Sequence, residues 1–188
     1  MNPVIERLET DPARLKAHWS LPKEDARLLY LLARIGRYRH ILEVGTSIGY
    51  SALHLALAAS QQQGEVTSID ASPERQEQAS THLEEAGLSA CVSLLCGDAL
   101  TRLEELAQAG RNFDLIFLDA RKSEYLSYLD YAERMMLPGG LLVADNTRSH
   151  RTQMADFIGR ITASPLWETS DLETPNGFVL ARRIESTP

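Results

Sequence analysis

The sequence predicts an α/β fold: a doubly wound, mostly parallel sheet with helices on both faces. Three observations predict it. Short apolar runs alternate with amphipathic stretches along most of the chain, as strands alternate with helices in such folds. The stretch from Phe113 to Asn146 holds two apolar runs, Leu115–Leu118 and Leu141–Ala144, joined by a helical segment. A crossover of that kind makes its two strands parallel. Each run ends in a carboxylate, Asp119 or Asp145, and ligands of open parallel sheets bind outside the carboxyl ends of the strands.

Residues 1–20 are polar, contain Pro3 and Pro12, and suit one or two short helices. Pro22 fits a first-turn proline. Ala26, Leu29, Tyr30, Leu32 and Ala33 then recur at helical spacing, so an amphipathic helix runs from Lys23 to Ile35 and stops at Gly36. His18 and Trp19, just before it, are read as packing residues. His40–Val44 is the first strand, a glycine-bearing loop leads to a helix over Ala52–Ala59, and Glu65–Ile69 is a second strand ending at Asp70. Ser72-Pro73 opens a helix that runs to Gly87. Cys91–Leu95 is a third strand and Leu100–Ala109 a helix. The helix of the central unit is expected to stop at Pro138-Gly139-Gly140. After Asn146 a short loop, Thr147–Thr152, precedes a helix from about Gln153 to Thr162. Trp167–Leu172 and Phe178–Ile184 are the last strands, and the Pro175-Asn176-Gly177 turn between them signals an antiparallel hairpin. No repeat, low-complexity tract or linker interrupts the 188 residues. One domain is expected, with a helical segment over 1–36 and a Rossmann-like core over 37–188.

Composition narrows the function. Hydrophobic content of 44% and charged content of 24% suit a globular protein, and a net charge of −7 gives no basic footprint for a nucleic acid. Cys91 and Cys96 fall in one expected strand at odd spacing, on opposite faces, and cannot bridge within it. Free cysteines suit a reducing compartment. No apolar run reaches ~18 residues, so no membrane span is expected, and the N-terminus lacks a signal-peptide core. A cytoplasmic location is the expectation.

Asp119, Asp145 and the Asn146 amide offer three hard oxygen donors, a set that suits Mg²⁺, Mn²⁺ or Ca²⁺. Lys122 follows Asp119 by about one helical turn and faces the same place. The structural alternative is an N-cap at Asp119 and a turn at Asp145-Asn146. Two acidic strand ends in one unit, with a lysine in the following turn, favour a site. Tyr125 and Tyr128 share a helical face and are read as core. His150 lies within reach of Asn146, though a loop histidine is usually solvated.

The first strand and its loop read Glu43-Val44-Gly45-Thr46-Ser47-Ile48-Gly49-Tyr50-Ser51. Glycines at 45 and 49 permit a tight turn and close approach of a ligand to the backbone. Asp70, ending the next strand, is placed to accept hydrogen bonds from ribose hydroxyls, which favours an adenosine-containing ligand. Ser47 replaces the second glycine of the dinucleotide fingerprint. The Glu43 carboxylate would repel a pyrophosphate. It suits a ligand with a cationic amine and sulfonium, which is S-adenosyl-L-methionine.

ILEVGTSIGYSALHLALA, VTSIDASPE, LLCGDA, FDLIFLDARKSEYLSYL, MLPGGLLVADN and NGFVLARR together resemble the cation-dependent O-methyltransferase family, which contains catechol and caffeoyl-CoA O-methyltransferases. The likeness runs through roughly residues 20–183, and its D-A-x-K…D-N combination is the specific part. The resemblance implies a seven-stranded sheet whose final strand is antiparallel. It implies that Glu43, Gly45 and Ser51 line the methionine end of the cofactor and that Asp70, with Ala71, holds the ribose. Gly97, Asp98 and Ala99 would border the adenine. Asp119, Asp145 and Asn146 would bind the cation, with Asp119 also near the cofactor amine and Lys122 as general base. A phenol ionises near pH ~10; a bound dication stabilises the phenolate and favours a neutral Lys122. The expected acceptor is a small aromatic with two adjacent hydroxyls, and the expected assembly a homodimer.

The N-terminal segment and the loop after Asn146 are shorter than in larger members, so a more open site is expected. Arg121, Arg148 and Arg151 are placed to meet an anionic substrate or are ordinary solvated charges. Rival readings are a methyltransferase acting on a hydroxylated tRNA base, disfavoured by the acidic charge, and a non-catalytic S-adenosylmethionine-binding module, disfavoured by the intact Asp119, Lys122, Asp145 and Asn146 set. A dinucleotide oxidoreductase is more distant still.

Overall fold

The computed structural model describes residues 2–185. Two short helices, α1 (Pro3–Glu9) and α2 (Pro12–Ala17), open the chain, each begun by a proline and capped by Asn2 or Asp11. Helix α3 (Lys23–Gly36) follows. Pro22 is its N-cap, one position before the expected first turn, and Arg37 rather than a glycine takes the left-handed position at its end. Gly36 is the last helical residue, and a Cβ there would lie 2.2 Å from the Tyr38 ring.

Strand β1 (His40–Val44), helix α4 (Tyr50–Ser60), strand β2 (Glu65–Asp70), helix α5 (Pro73–Glu85), strand β3 (Val92–Cys96) and helix α6 (Ala99–Gln108) build the first half. Cys91 is not in β3; it closes a 3-10 turn, Ser89–Cys91, so the two cysteines do not share a strand. Strand β4 (Phe113–Leu118), helix α7 (Tyr125–Met135), strand β5 (Met136–Ala144), helix α8 (Ala155–Ala163) and strands β6 (Trp167–Leu172) and β7 (Phe178–Arg183) build the second.

The sheet order is β3-β2-β1-β4-β5-β7-β6, with β7 antiparallel to both its neighbours and the other contacts parallel. This is the expected doubly wound sheet of seven strands. One departure concerns α7. It ends at Met135, before Pro138-Gly139-Gly140, and the segment from Met136 onward belongs to β5. Met136 already pairs with Phe113, and the register slips between Phe113 and Leu115 before Leu141 meets Leu115. Gly139, at φ +78°, absorbs the irregularity, and Pro138 is tolerated near the start of the strand.

Both faces are covered, so the strands are apolar on both. Ile41, Leu115, Phe117, Leu141 and Val143 pack with α1, α3 and α4; Leu42, Val44, Ile116, Leu118 and Leu142 pack with α6, α7 and α8. Trp167, Tyr125 and Tyr128 are buried, as expected of core residues.

Candidate active site

The parallel ladder carries the site to one edge. Val44 pairs with Ile69 and Leu118, and Leu118 with Ala144. The next backbone N–H groups continue the pattern: Gly45 donates to the Ile69 carbonyl (2.9 Å), Asp119 to Val44 (2.9 Å), Asp145 to Leu118 (2.9 Å) and Gly97 to Asp70 (2.9 Å). Gly45, Asp70, Gly97, Asp119 and Asp145 therefore stand along one line. The strand order reverses between β1 and β4, where open sheets of this class bind ligands.

At the β1–β2 end, Gly45 has φ +109°, and a Cβ on it would stand 2.0 Å from the Asp119 carbonyl oxygen. No other residue fits. Gly49, at φ +86°, lets α4 approach Ala79 of α5. Asp70 ties the loops together, accepting from the Ser47 N–H (2.8 Å) and the Ser72 N–H (2.9 Å). Gly45, Ser51, Asp70 and Ala71 border a cavity of about 880 Å³, a size suited to a cofactor with a small substrate. Glu43 does not border it. Its side chain is wholly buried and accepts a hydrogen bond from Ser68, while Oε1 has no hydrogen-bond partner. Burial raises the Glu43 carboxyl to about 7, against the opposing hydroxyls of Ser51 and Ser68.

Along the same edge, Asp98 and Ala99 border the cavity and Gly97 lies behind them. Asp98 is also the N-cap of α6, accepting from the Thr101 N–H (3.1 Å), and this bond holds its carboxyl below the usual range.

The acidic end lies beyond β4 and β5. Lys122 Nζ donates to Asp119 Oδ1 (3.0 Å) and to the Ala120 carbonyl (2.9 Å). Burial raises the Asp119 carboxyl, and the Lys122 charge opposes that shift. Asp145 is wholly buried. Its Oδ2 accepts from the amides of Asn146 (2.8 Å) and Asn176 (3.2 Å), while Oδ1 has no partner. Burial first, and then the neighbouring Asp119, push Asp145 up to about 8. Asn146 holds a left-handed φ of +68°, which asparagine tolerates better than most residues. Asp119, Lys122 and Asn146 border the cavity; Asp145 sits just behind.

A buried carboxylate with one unpartnered oxygen, Asp145, and the partly exposed carboxylate of Asp119, whose charge discourages ionisation of Asp145, form with the Asn146 amide a donor set that suits a hard dication. Among the described residues no group of three or more His, Cys, Asp or Glu side chains is gathered as a metal site. The set thus consists of two carboxylates and one amide, with room on the cavity side for substrate oxygens.

Several placements differ from the sequence expectation. Glu9, Pro12, Leu15 and Lys16 of α1 and α2 form one wall of the cavity. Glu9 is fixed there by Lys23 (2.6 Å), Arg27 (3.0 Å) and the Tyr50 hydroxyl (3.2 Å). Trp19 is not a packing residue. It is 74% exposed at the cavity rim, at φ +50°, with the Arg75 guanidinium 5.2 Å from its ring centre. The Ser47 hydroxyl holds this segment through the His18 carbonyl (2.7 Å). His150 does border the cavity. Arg121 borders it too, paired with Glu124 (3.2 Å), whereas Arg151 pairs with Asp171 (3.6 Å) away from it. The sequence marks Asn176 only as a turn residue. Its conjunction with glycine in NGF was a signal for a fixed turn, but nothing local pointed it at Asp145.

Comparison with known proteins identifies the family. The O-methyltransferase family profile matches residues 3–183. The catechol O-methyltransferase of Niastella koreensis is 35% identical over 128 residues, covering 68% of this chain and 58% of its own length. Tricin synthase 1 of Oryza sativa subsp. japonica is 31% identical over 205 residues, covering 95% of this chain and 79% of its own length. Among solved structures, the O-methyltransferase from Bacillus cereus in complex with SAH superposes with a TM-score of 0.87 at 28% identity, over 97% of this chain and 91% of that one. With a profile that spans nearly all the described residues and a whole-chain likeness in fold, this chain belongs to the O-methyltransferase family.

Proposed function

We propose that this O-methyltransferase moves the methyl group of S-adenosyl-L-methionine to one hydroxyl of a small catechol-like acceptor, and that Asp119, Asp145 and Asn146 hold a divalent cation during the reaction. The observation that carries this reading is the pair of strand-end carboxylates beside the cavity, with Asp145 raised to about 8 by burial and by Asp119. A site built for binding alone has no need of such a pair, or of the lysine that reaches it.

The roles follow from position. Gly45 admits the methionine part of the donor close to the backbone, with Ser51 beside it. Asp70 presents carboxylate oxygens to the ribose, and Asp98 and Ala99 border the base. Glu43, buried beneath the loop, acts through Ser68 and the electrostatics of the strand end rather than by contact with the donor. The cation, when bound, supplies positive charge that stabilises an ionised hydroxyl. Lys122, in its uncharged form, takes the acceptor's hydroxyl proton onto Nζ. The ionised oxygen then forms a bond to the methyl carbon as the carbon–sulfur bond breaks, and the sulfonium leaves as a neutral thioether. The rigid strand ends contribute orientation, which is worth several kcal/mol in such displacements. The α1–α2 wall and Trp19 limit the entry of water.

The test is a methyl-transfer assay on purified protein with catechols, hydroxycinnamoyl thioesters and tRNA, with and without chelator. Methylation of a vicinal diol that stops on chelation and returns with Mg²⁺ or Mn²⁺ supports the proposal. Full activity under thorough chelation removes the cation from it, and methylation of tRNA alone replaces the acceptor.

A further inference from the structure

We infer that Asn176 is a positioning residue for Asp145, and that Asp25, from the first turn of α3, holds Asn176 in place. The inference rests on the cation reading of Asp119, Asp145 and Asn146, and adds two residues outside that set.

The geometry leaves Asn176 little freedom. Its Nδ2 donates to Asp145 Oδ2 (3.2 Å), its backbone N–H donates to Asp25 Oδ2 (3.3 Å), and its carbonyl accepts from the N–H groups of Arg148 (3.0 Å) and Ser149 (2.9 Å). The next residue, Gly177, has φ +85°, and a Cβ on it would lie 2.4 Å from the Arg148 Cβ. The Thr147 N–H bonds to the Gly177 carbonyl (3.2 Å). The β6–β7 turn is thus stitched to the loop that follows Asn146.

Asp25 lies in the first turn of α3, where a carboxylate also complements the helix dipole. It is wholly buried, yet α3 has no side-chain cap and Asp25 does not serve as one. The Thr174 hydroxyl and the Asn176 N–H are its hydrogen-bond donors, and its Oδ1 is unpartnered. Burying a carboxylate with incomplete hydrogen bonding costs stability. Here it anchors a turn 151 residues away in the chain, whose Asn176 side chain reaches the end of β5.

The consequence lies at Asp145. Two neutral amides, from Asn146 and Asn176, converge on Oδ2 and fix the plane of the carboxylate, leaving Oδ1 as its uncommitted donor. Amides orient without charge, so they do not compete with a cation as a second lysine would. Groups that orient metal-binding side chains in this way commonly affect metal affinity as strongly as some direct ligands do.

The experiment uses the full chain and Mn²⁺ alone, with free Mn²⁺ measured by electron paramagnetic resonance. S-Adenosylhomocysteine affinity is measured separately by calorimetry. Asn176→Ala is expected to weaken Mn²⁺ binding about tenfold, with nucleoside affinity changed less than about twofold. Asp25→Ala is expected to show a loss of the same kind, and the double variant to lose no more than Asn176→Ala alone, because both act through one contact. Asp25→Asn retains an oxygen for the Asn176 N–H and is expected to bind Mn²⁺ like the wild type. Asn176→Ser, which keeps a small polar side chain but cannot reach as an amide does, gives the same reading if Asn176→Ala folds poorly. Unchanged Mn²⁺ affinity in the Asn176 variants overturns the inference while leaving the cation reading intact. Parallel loss of Mn²⁺ and nucleoside affinity marks general loosening and also overturns it. A wild-type protein with no saturable Mn²⁺ binding overturns the cation reading, and the inference with it.

Discussion

Gly45 and Asp119 meet backbone to backbone: a Cβ on Gly45 would stand 2.0 Å from the Asp119 carbonyl oxygen. The loop proposed to receive the donor and the strand end that carries the acid are therefore one rigid piece. Gly45→Ala must both force L-residue geometry at φ +109° and push β1 away from β4. We expect a loss of at least about 2 kcal/mol in stability and of most donor affinity, read by thermal melts and calorimetry. A variant with wild-type affinity for S-adenosylhomocysteine would show that the loop does not receive the donor.

Lys122→Met removes the amine that bridges Asp119 and the Ala120 carbonyl. As a lost proton acceptor it should lower kcat by about 10²-fold or more, with donor affinity within a few-fold of wild type. Turnover near wild type would mean that another group, with His150 one candidate on the cavity wall, takes the proton.

Asp145→Asn tests the carboxylate pair. The folded-state value of about 8 lies above the ordinary 3.8. Such a group favours folding below the ordinary value, and that contribution is lost as pH rises through about 8. The metal-free variant should therefore melt higher than wild type at pH 8 and show no thermal shift with Mg²⁺. The wild type should show a shift that grows with pH. A Mg²⁺-dependent shift in the variant would exclude Asp145 as a ligand.

Glu43→Gln probes the buried acid beneath the loop. Raising its carboxyl from 4.5 to about 7 corresponds to a cost of about 3 kcal/mol for the ionised form. The sign is the same: stability from this group is present below 4.5 and lost as pH rises through about 7. The wild type should thus lose stability between pH 5 and 8 more steeply than Glu43→Gln. Denaturant melts at both pH values check this, and equal slopes would place the carboxyl in contact with solvent or a counter-charge.

Trp19 offers an optical test of the rim. The chain has 2 tryptophans, and Trp167 is buried while Trp19 is 74% exposed. Donor binding should change Trp19 emission, and Trp19→Phe should abolish that change while raising the donor Kd. Unaltered emission on saturation would place Trp19 away from the bound molecule.

Much of the site was legible in the sequence for a local reason. An apolar run that ends in an acid marks both a buried strand and its tip at the sheet edge, so Asp70, Asp119 and Asp145 stand out, and Lys122 follows from helical spacing. The hairpin at Pro175-Asn176-Gly177 and the capped helix at Ser72-Pro73 were legible because turn chemistry depends on a few adjacent residues. The α7–β5 boundary is not legible locally, because Pro138-Gly139-Gly140 looks the same whether it ends a helix or bends the start of a strand.

The chain's own order of residues determined the alternation of strand and helix, the acidic strand tips and the glycine loop, because side-chain periodicity and turn preference act over a few residues. Only the tertiary structure decided that Glu43 turns inward to Ser68, that α1 and α2 wall the cavity, that Trp19 stands exposed over Arg75, and that Asn176 reaches Asp145. Those outcomes depend on which distant segments pack together, and burial and hydrogen bonding across such separations are set by the assembled core rather than by neighbours in the chain.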